Sequence, residues 1–136
     1  KIIMNLFGIG VDIVDNSRIK KMIRNKDFLN RVFSNYEILN SNRIANKTAF
    51  FAKRFAAKEA FSKSLGTGFR NNLNFRDIVI KNNKSGKPFF FITKKIKSFI
   101  NKEFKTKKFN FYLSISDEKN YSVAFVIFQK WLKKNL

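Results

Sequence analysis

The apolar positions of this chain recur in two periods, and the longest stretch with a helical period lies at its middle. No Pro or Gly interrupts residues 51–65, which are rich in Ala, Lys, Arg and Glu, and these residues favour helix. At about 100° per residue, Phe50, Phe51, Phe55, Phe61 and Leu65 fall on one side, while Ala52, Ala56, Ala57 and Ala60 cover much of the other. The predicted helix has a bulky face and a small face and can pack on both. Gly66 stands where a left-handed C-terminal cap is wanted, with Thr67 and Gly68 completing the turn. Residues 46–48 are a polar break, with Thr48 as the expected N-cap.

The flanking segments are shorter. Residues 6–14 form an apolar strand carrying Gly8, Gly10 and a lone acid, Asp12. Its glycine spacing is not a dinucleotide-binding fingerprint, since the third glycine would fall at Ile13. Asp15, Asn16 and Ser17 suit a helix start, ahead of a basic amphipathic helix over residues 18–25 with Ile19, Met22 and Ile23 on its apolar face. Ser34 and Glu37 have capping-box spacing, so a further helix is predicted to run towards residue 45. Residues 77–81 and 89–93 are strands around a hairpin turn at 82–88, which holds Asn, Ser, Gly and Pro. Ile96, Phe99 and Ile100 set a basic helix over residues 94–104. Residues 109–116 and 121–128 form a second hairpin around 117–120, followed by a basic tail with Trp131 and Leu132. There is no repeat or linker, so one domain is expected over residues 1–136. Hairpins imply antiparallel pairing, and the class is α+β, with antiparallel hairpins packed on a central long helix.

Composition narrows the chemistry. The chain of 136 residues has no Cys and no His, which excludes disulfides, thiolate zinc sites, histidine-ligated metals and Ser-His-Asp or Cys-His catalysis. A metal must be held by oxygen ligands, as suits Mg²⁺ or Ca²⁺. No apolar run approaches the roughly 20 residues that span a bilayer, and the first residues read as a strand rather than a signal peptide. No membrane role and a cytoplasmic location are expected, with a plastid-like organelle as the alternative. The net charge is +20, from 29 Lys+Arg against 9 Asp+Glu. Such a surplus fits an anionic partner. An AT-rich genome, which favours Lys, Asn, Ile and Phe, accounts for part of it.

The charges of the central helix allow two readings. Arg54 and Lys58 lie within the Phe arc, with Glu59 at its edge and Lys63 one turn further on. A cation on a half-buried face can snorkel to water. Alternatively the group is a ligand site, with cations for phosphates, a carboxylate for a metal and a glycine turn for close backbone approach.

The order of motifs favours the second reading. Gly8, Gly10 and Asp12 followed by Arg18 and Ile19, then Arg54, Lys58, Glu59 and Lys63 with Gly66 and Gly68, then Gly86, Lys87 and Pro88, and last Ser114 and Ser116, span nearly the whole chain. This strongly resembles holo-acyl-carrier-protein synthase, the small bacterial type of 4′-phosphopantetheinyl transferase. The resemblance implies that fold and transfer of the phosphopantetheine arm of coenzyme A to a serine of acyl carrier protein, in support of fatty acid biosynthesis. It implies Mg²⁺ held by Asp12 and Glu59, with Lys63 completing the catalytic set. It also implies coenzyme A contacts from Arg54, Lys58, Lys63, Gly66, Gly68, Lys87, Pro88 and Ser116. The acidic carrier protein would dock on Arg18, Lys21 and Arg24, and the assembly would be a homotrimer with shared sites. One position departs from the pattern: Asp117 stands where the family commonly has His, so it is expected to turn away from the phosphates or be offset by a lysine such as Lys119. The competing readings are a basic nucleic-acid-binding protein and an inactive carrier-protein-binding module; the resemblance implies no nucleic acid.

Overall fold

A computed structural model describes residues 2–66 and 73–133. In chain order they form β1 (Ile2–Asp15), α1 (Asn16–Met22), α2 (Lys26–Val32), α3 (Asn35–Ser41), α4 (Lys47–Leu65), a 3₁₀ turn (Phe75–Asp77), β2 (Val79–Asn82), β3 (Pro88–Phe91), α5 (Lys94–Phe104), β4 (Phe109–Asp117) and β5 (Tyr121–Lys133). The class is the expected α+β. β5 is the middle strand of an antiparallel sheet ordered β1-β5-β4, and β2 and β3 form a separate antiparallel pair.

The sheet has two unlike faces because side chains alternate along each strand. Val14, Ala124, Val126, Phe128 and Leu113 point inward and are buried. α4 lies across this face with the backbones close together. A Cβ on Gly8 would stand 1.9 Å from the Ser64 carbonyl oxygen, and one on Gly10 would stand 1.9 Å from that of Ala60. The glycines and the alanine face of α4 are thus two halves of one contact. On its bulky side Phe61 stacks on Phe111 at 4.3 Å, and Phe111 on Phe128 at 4.5 Å. The outward face carries Ile9, Val11, Ile13, Tyr112, Tyr121 and Phe125, all exposed.

Several expected ends move. The N-cap of α4 is Asn46, whose side chain accepts from the Ala49 amide; Thr48 lies inside the helix. The Ser34–Glu37 capping box forms, but α3 stops at Ser41. α1 is shorter than expected because Asn25 caps a separate helix, α2, accepting from the Asp27 and Phe28 amides. Gly66 ends α4 at φ 76°, a left-handed value glycine adopts without strain, as anticipated. The predicted coenzyme-contacting Gly68 lies outside the described residues.

Candidate active site

Two groups of candidate residues lie on successive turns of α4. The first is acidic. Asp12 follows Gly10 on the inward face of β1, beside the last turns of the helix. Its Oδ1 accepts from Lys63 Nζ at 3.1 Å, and the same ammonium reaches the Val11 carbonyl at 3.1 Å. Glu59 lies one helical turn before Lys63. Burial pushes its pKa up, and the negative charge of Asp12 pushes it further, while Lys63 and Arg18 oppose the shift. Two neighbouring carboxylates favour a cation between them, and Asp12 already takes the Lys63 ammonium. They offer only hard oxygen donors, so the pair fits Mg²⁺. No cluster of three or more such ligands exists among the described residues, which leaves the rest of a coordination shell to water and substrate.

The second group is cationic and lines a cleft of about 600 Å³, with Arg43, Lys53, Arg54 and Lys81 around it and Asn82, Gly86 and Asp117 on its walls. Arg54 is buried; its guanidinium lies 3.6 Å from the Phe50 ring centroid and donates to the Phe50 carbonyl and to Asn82 Oδ1 at 2.8 Å. Its Nε has no hydrogen-bond partner among the described residues. Pro88 joins Arg54, Gly86 and Asp117 around an adjoining hollow. Lys87 is an exposed turn residue whose amide donates to Asn83 Oδ1.

Asp117 lines the cleft wall with Lys53 and Arg54 and also borders a smaller cavity beside Ser116. Ser116 points to the other side of the sheet, where it lines a smaller cavity with Ile13, Tyr121 and Val123. Lys21 and Arg24 are exposed at the end of α1 and just beyond it, as is Arg18, whose charge also acts on Glu59.

Lys58, expected among the coenzyme contacts, is held inside the fold. Its side chain is 0 % exposed and pairs with Glu37 at 2.8 Å. The ammonium also donates to the carbonyls of Phe75 and Ile78. It does not snorkel, and its three donors are met within the fold. Burial lowers its pKa, and the charge of Glu37 opposes that shift. Sequence reasoning missed Glu37 as a partner, although its capping-box position was visible. It also missed Asn82, Arg43, Lys53 and Lys81, which carry no motif.

Residues 8–126 match the family model of the 4'-phosphopantetheinyl transferase superfamily. The chain belongs to this superfamily. It is 61% identical over 127 residues to the holo-[acyl-carrier-protein] synthase of Pelagibacter ubique, an alignment covering 93% of this chain and 99% of that one. Among superfamily structures, it resembles the holo-[acyl-carrier-protein] synthase of Neisseria meningitidis at TM-score 0.82 and 36% identity, covering 91% of this chain and 98% of that one. The Bacillus anthracis synthase, solved in complex with CoA (3',5'-ADP), matches at TM-score 0.76 and 33% identity, covering 94% and 99%. These matches bear out the expected family and its antiparallel α+β fold.

Proposed function

We propose that this chain, as one transferase domain, moves the 4′-phosphopantetheine group of coenzyme A to a serine of apo acyl carrier protein. The products are holo carrier protein and adenosine 3′,5′-bisphosphate, in support of fatty acid biosynthesis in the cytoplasm. The observation that carries this reading is the placing of an acidic pair and a cationic cleft on one helix. Arg54 and Glu59 are five residues apart, about 7.5 Å of axial rise, a separation suited to a ligand whose phosphates need both cations and a metal. Arg54, with Gly86 and Pro88 opposite, receives the nucleotide phosphates, and Lys87 and Lys63 add positive charge at the two ends.

Asp12 and Glu59 would hold Mg²⁺, which when bound polarises the pyrophosphate and offsets charge on the leaving phosphate. Lys63 keeps Asp12 oriented. The serine proton goes to Glu59 or to a water at the pair. Arg18, Lys21 and Arg24 face the acidic carrier protein.

The assembly we propose is a homotrimer, with no nucleic acid or membrane as partner. Six large apolar side chains exposed on one sheet face, with Ile13 68 % and Ile9 60 % exposed, exceed what a monomer usually leaves uncovered. Ser116 opens onto that face, where it would meet a neighbour's cleft.

Intact mass of apo carrier protein after incubation with this protein, Mg²⁺ and coenzyme A tests the reading. A phosphopantetheine mass gain is expected. A complex without mass gain would overturn transfer in favour of an inactive binding module.

A further inference from the structure

The Glu37–Lys58 pair is wholly buried, and every donor on the ammonium is used. Nζ reaches Glu37 Oε1 at 2.8 Å, the Phe75 carbonyl at 2.8 Å and the Ile78 carbonyl at 2.5 Å. Three N–H donors meet three oxygens. Glu37 is equally occupied. Its Oε1 also accepts from the Ser34 amide at 2.9 Å and the Ser34 hydroxyl at 3.1 Å, and its Oε2 from the Ile80 amide at 3.2 Å. One ion pair therefore ties the start of α3, the middle of α4, the 3₁₀ turn and β2 together.

These elements are the walls of the cationic cleft. α3 contributes Tyr36 and Asn40, α4 contributes Lys53 and Arg54, and the β2–β3 hairpin contributes Lys81 and Asn82. Arg54 lies one turn before Lys58 and bridges to Asn82 across the cleft. A buried charge pair is weak evidence for stability, since apolar replacement of both partners is often neutral. Its position between the walls indicates another role.

We propose that Glu37 and Lys58 are positioning residues: they fix the hairpin wall against α4, so that Arg54 and Asn82 are set to receive the coenzyme A nucleotide, and Lys58 itself never touches ligand. This rests on the transferase reading above. Arg76 supports folding without the pair, because its guanidinium independently binds the Asn30 and Phe33 carbonyls and Asn35 Oδ1.

The test compares the wild-type chain with Lys58→Met, with the double variant Glu37→Gln/Lys58→Met and with Ser34→Ala, which leaves the ion pair in place but removes the α3 cap and one hydrogen bond to Glu37. Unfolding midpoints and steady-state constants for each substrate are measured. Lys58→Met leaves a buried carboxylate unpaired and is expected to unfold more easily. The double variant is expected to regain stability but keep a KM for coenzyme A about tenfold raised, with kcat within about threefold. KM for carrier protein is unchanged, and Ser34→Ala gives a smaller rise in KM for coenzyme A only. A purely structural role would return KM with stability. An unchanged KM for coenzyme A in the double variant, or in Ser34→Ala should the double variant not fold, overturns the inference. An inactive wild type overturns the transferase reading instead, and the inference falls with it.

Discussion

At the scale of single residues, the acidic pair is the most exposed to test. Asp12 and Glu59 are close enough for one charge to act on the other. Asp12→Ala or Glu59→Gln should abolish transfer to carrier protein while far-UV circular dichroism stays native. Near-normal turnover by either variant at saturating Mg²⁺ would refute its role. A second residue gives a pH signature. Asp15 caps α1, and its hydrogen bonds from the Ser17 hydroxyl and amide hold its pKa below the ordinary carboxylate value. A depressed folded pKa stabilises the native state above the unfolded value and ceases to do so as pH falls through the folded one. Thermal melts from pH 5 downwards should show this loss in the wild type and a shallower one in Asp15→Asn, which keeps a capping oxygen without the charge. Parallel melts would refute it. Lys58 shows where residue-level reading stops. Its place in the Phe arc was visible, but its partner is 21 residues away and is brought in only when α3 folds against α4. Arg54, three residues from the helix's buried Ala57, was read the same way from sequence and yet faces the cleft.

At the scale of elements, periodicity carried most of the fold. α5 spans the expected residues 94–104, because Ile96, Phe99 and Ile100 set its phase and Thr93 caps it. Both hairpins form where expected, the first at a turn holding Asn, Gly and Pro and the second around the polar residues 117–120. α2 went unrecognised because one turn of apolar residues does not establish a period, and its cap, Asn25, looked like the end of α1. The tightest joint, β1 on α4, was half legible: the glycines stood out, but their reason is the carbonyls of Ser64 and Ala60 from a distant helix. Gly10→Ala would drive a methyl into the Ala60 carbonyl. It should cost about 1–3 kcal/mol by overpacking in denaturant unfolding, and reduce activity by moving Asp12. An unchanged midpoint would mean the helix can yield. The basic end of α1 gives another expectation. Arg18 acts on Glu59 as well as on solvent, so Lys21→Glu and Arg24→Glu are the cleaner probes of the docking surface. Each should raise KM for carrier protein and flatten its salt dependence, leaving KM for coenzyme A unchanged. Equal changes for both substrates would move these residues into the coenzyme site.

At the scale of the whole molecule, the exposed sheet face and the split between Ser116 and Arg54 ask for one explanation. Within one chain, the cleft holding Arg54, Gly86 and Asp117 lies on the inward side of β4, while Ser116 opens outward among Ile13, Tyr121 and Val123. No rotation of a side chain brings them together, because neighbouring residues on a strand face opposite ways. A head-to-tail ring of three would place one chain's outward face against the next chain's cleft and close without free ends. The sequence offered the two-faced helix, able to pack on both sides, as a surface for a neighbour. The helix, however, is satisfied within the chain, and the uncovered surface is the sheet, whose outward residues look like ordinary strand residues until their partners are known. Complementation tests the shared site. Glu59→Gln disables the acidic pair, and Ser116→Glu turns a negative charge towards a neighbour's phosphates; each alone should be inactive. In co-refolded mixtures about a quarter of the interfaces pair an intact Glu59 with an intact Ser116 by random assortment, and activity should return to about that fraction. Phe125→Asp, which charges the outward face, should yield monomers by sedimentation and no transfer. If mixtures stay inactive although sedimentation shows mixed trimers, the site is complete within one chain, and Ser116 has no place in it.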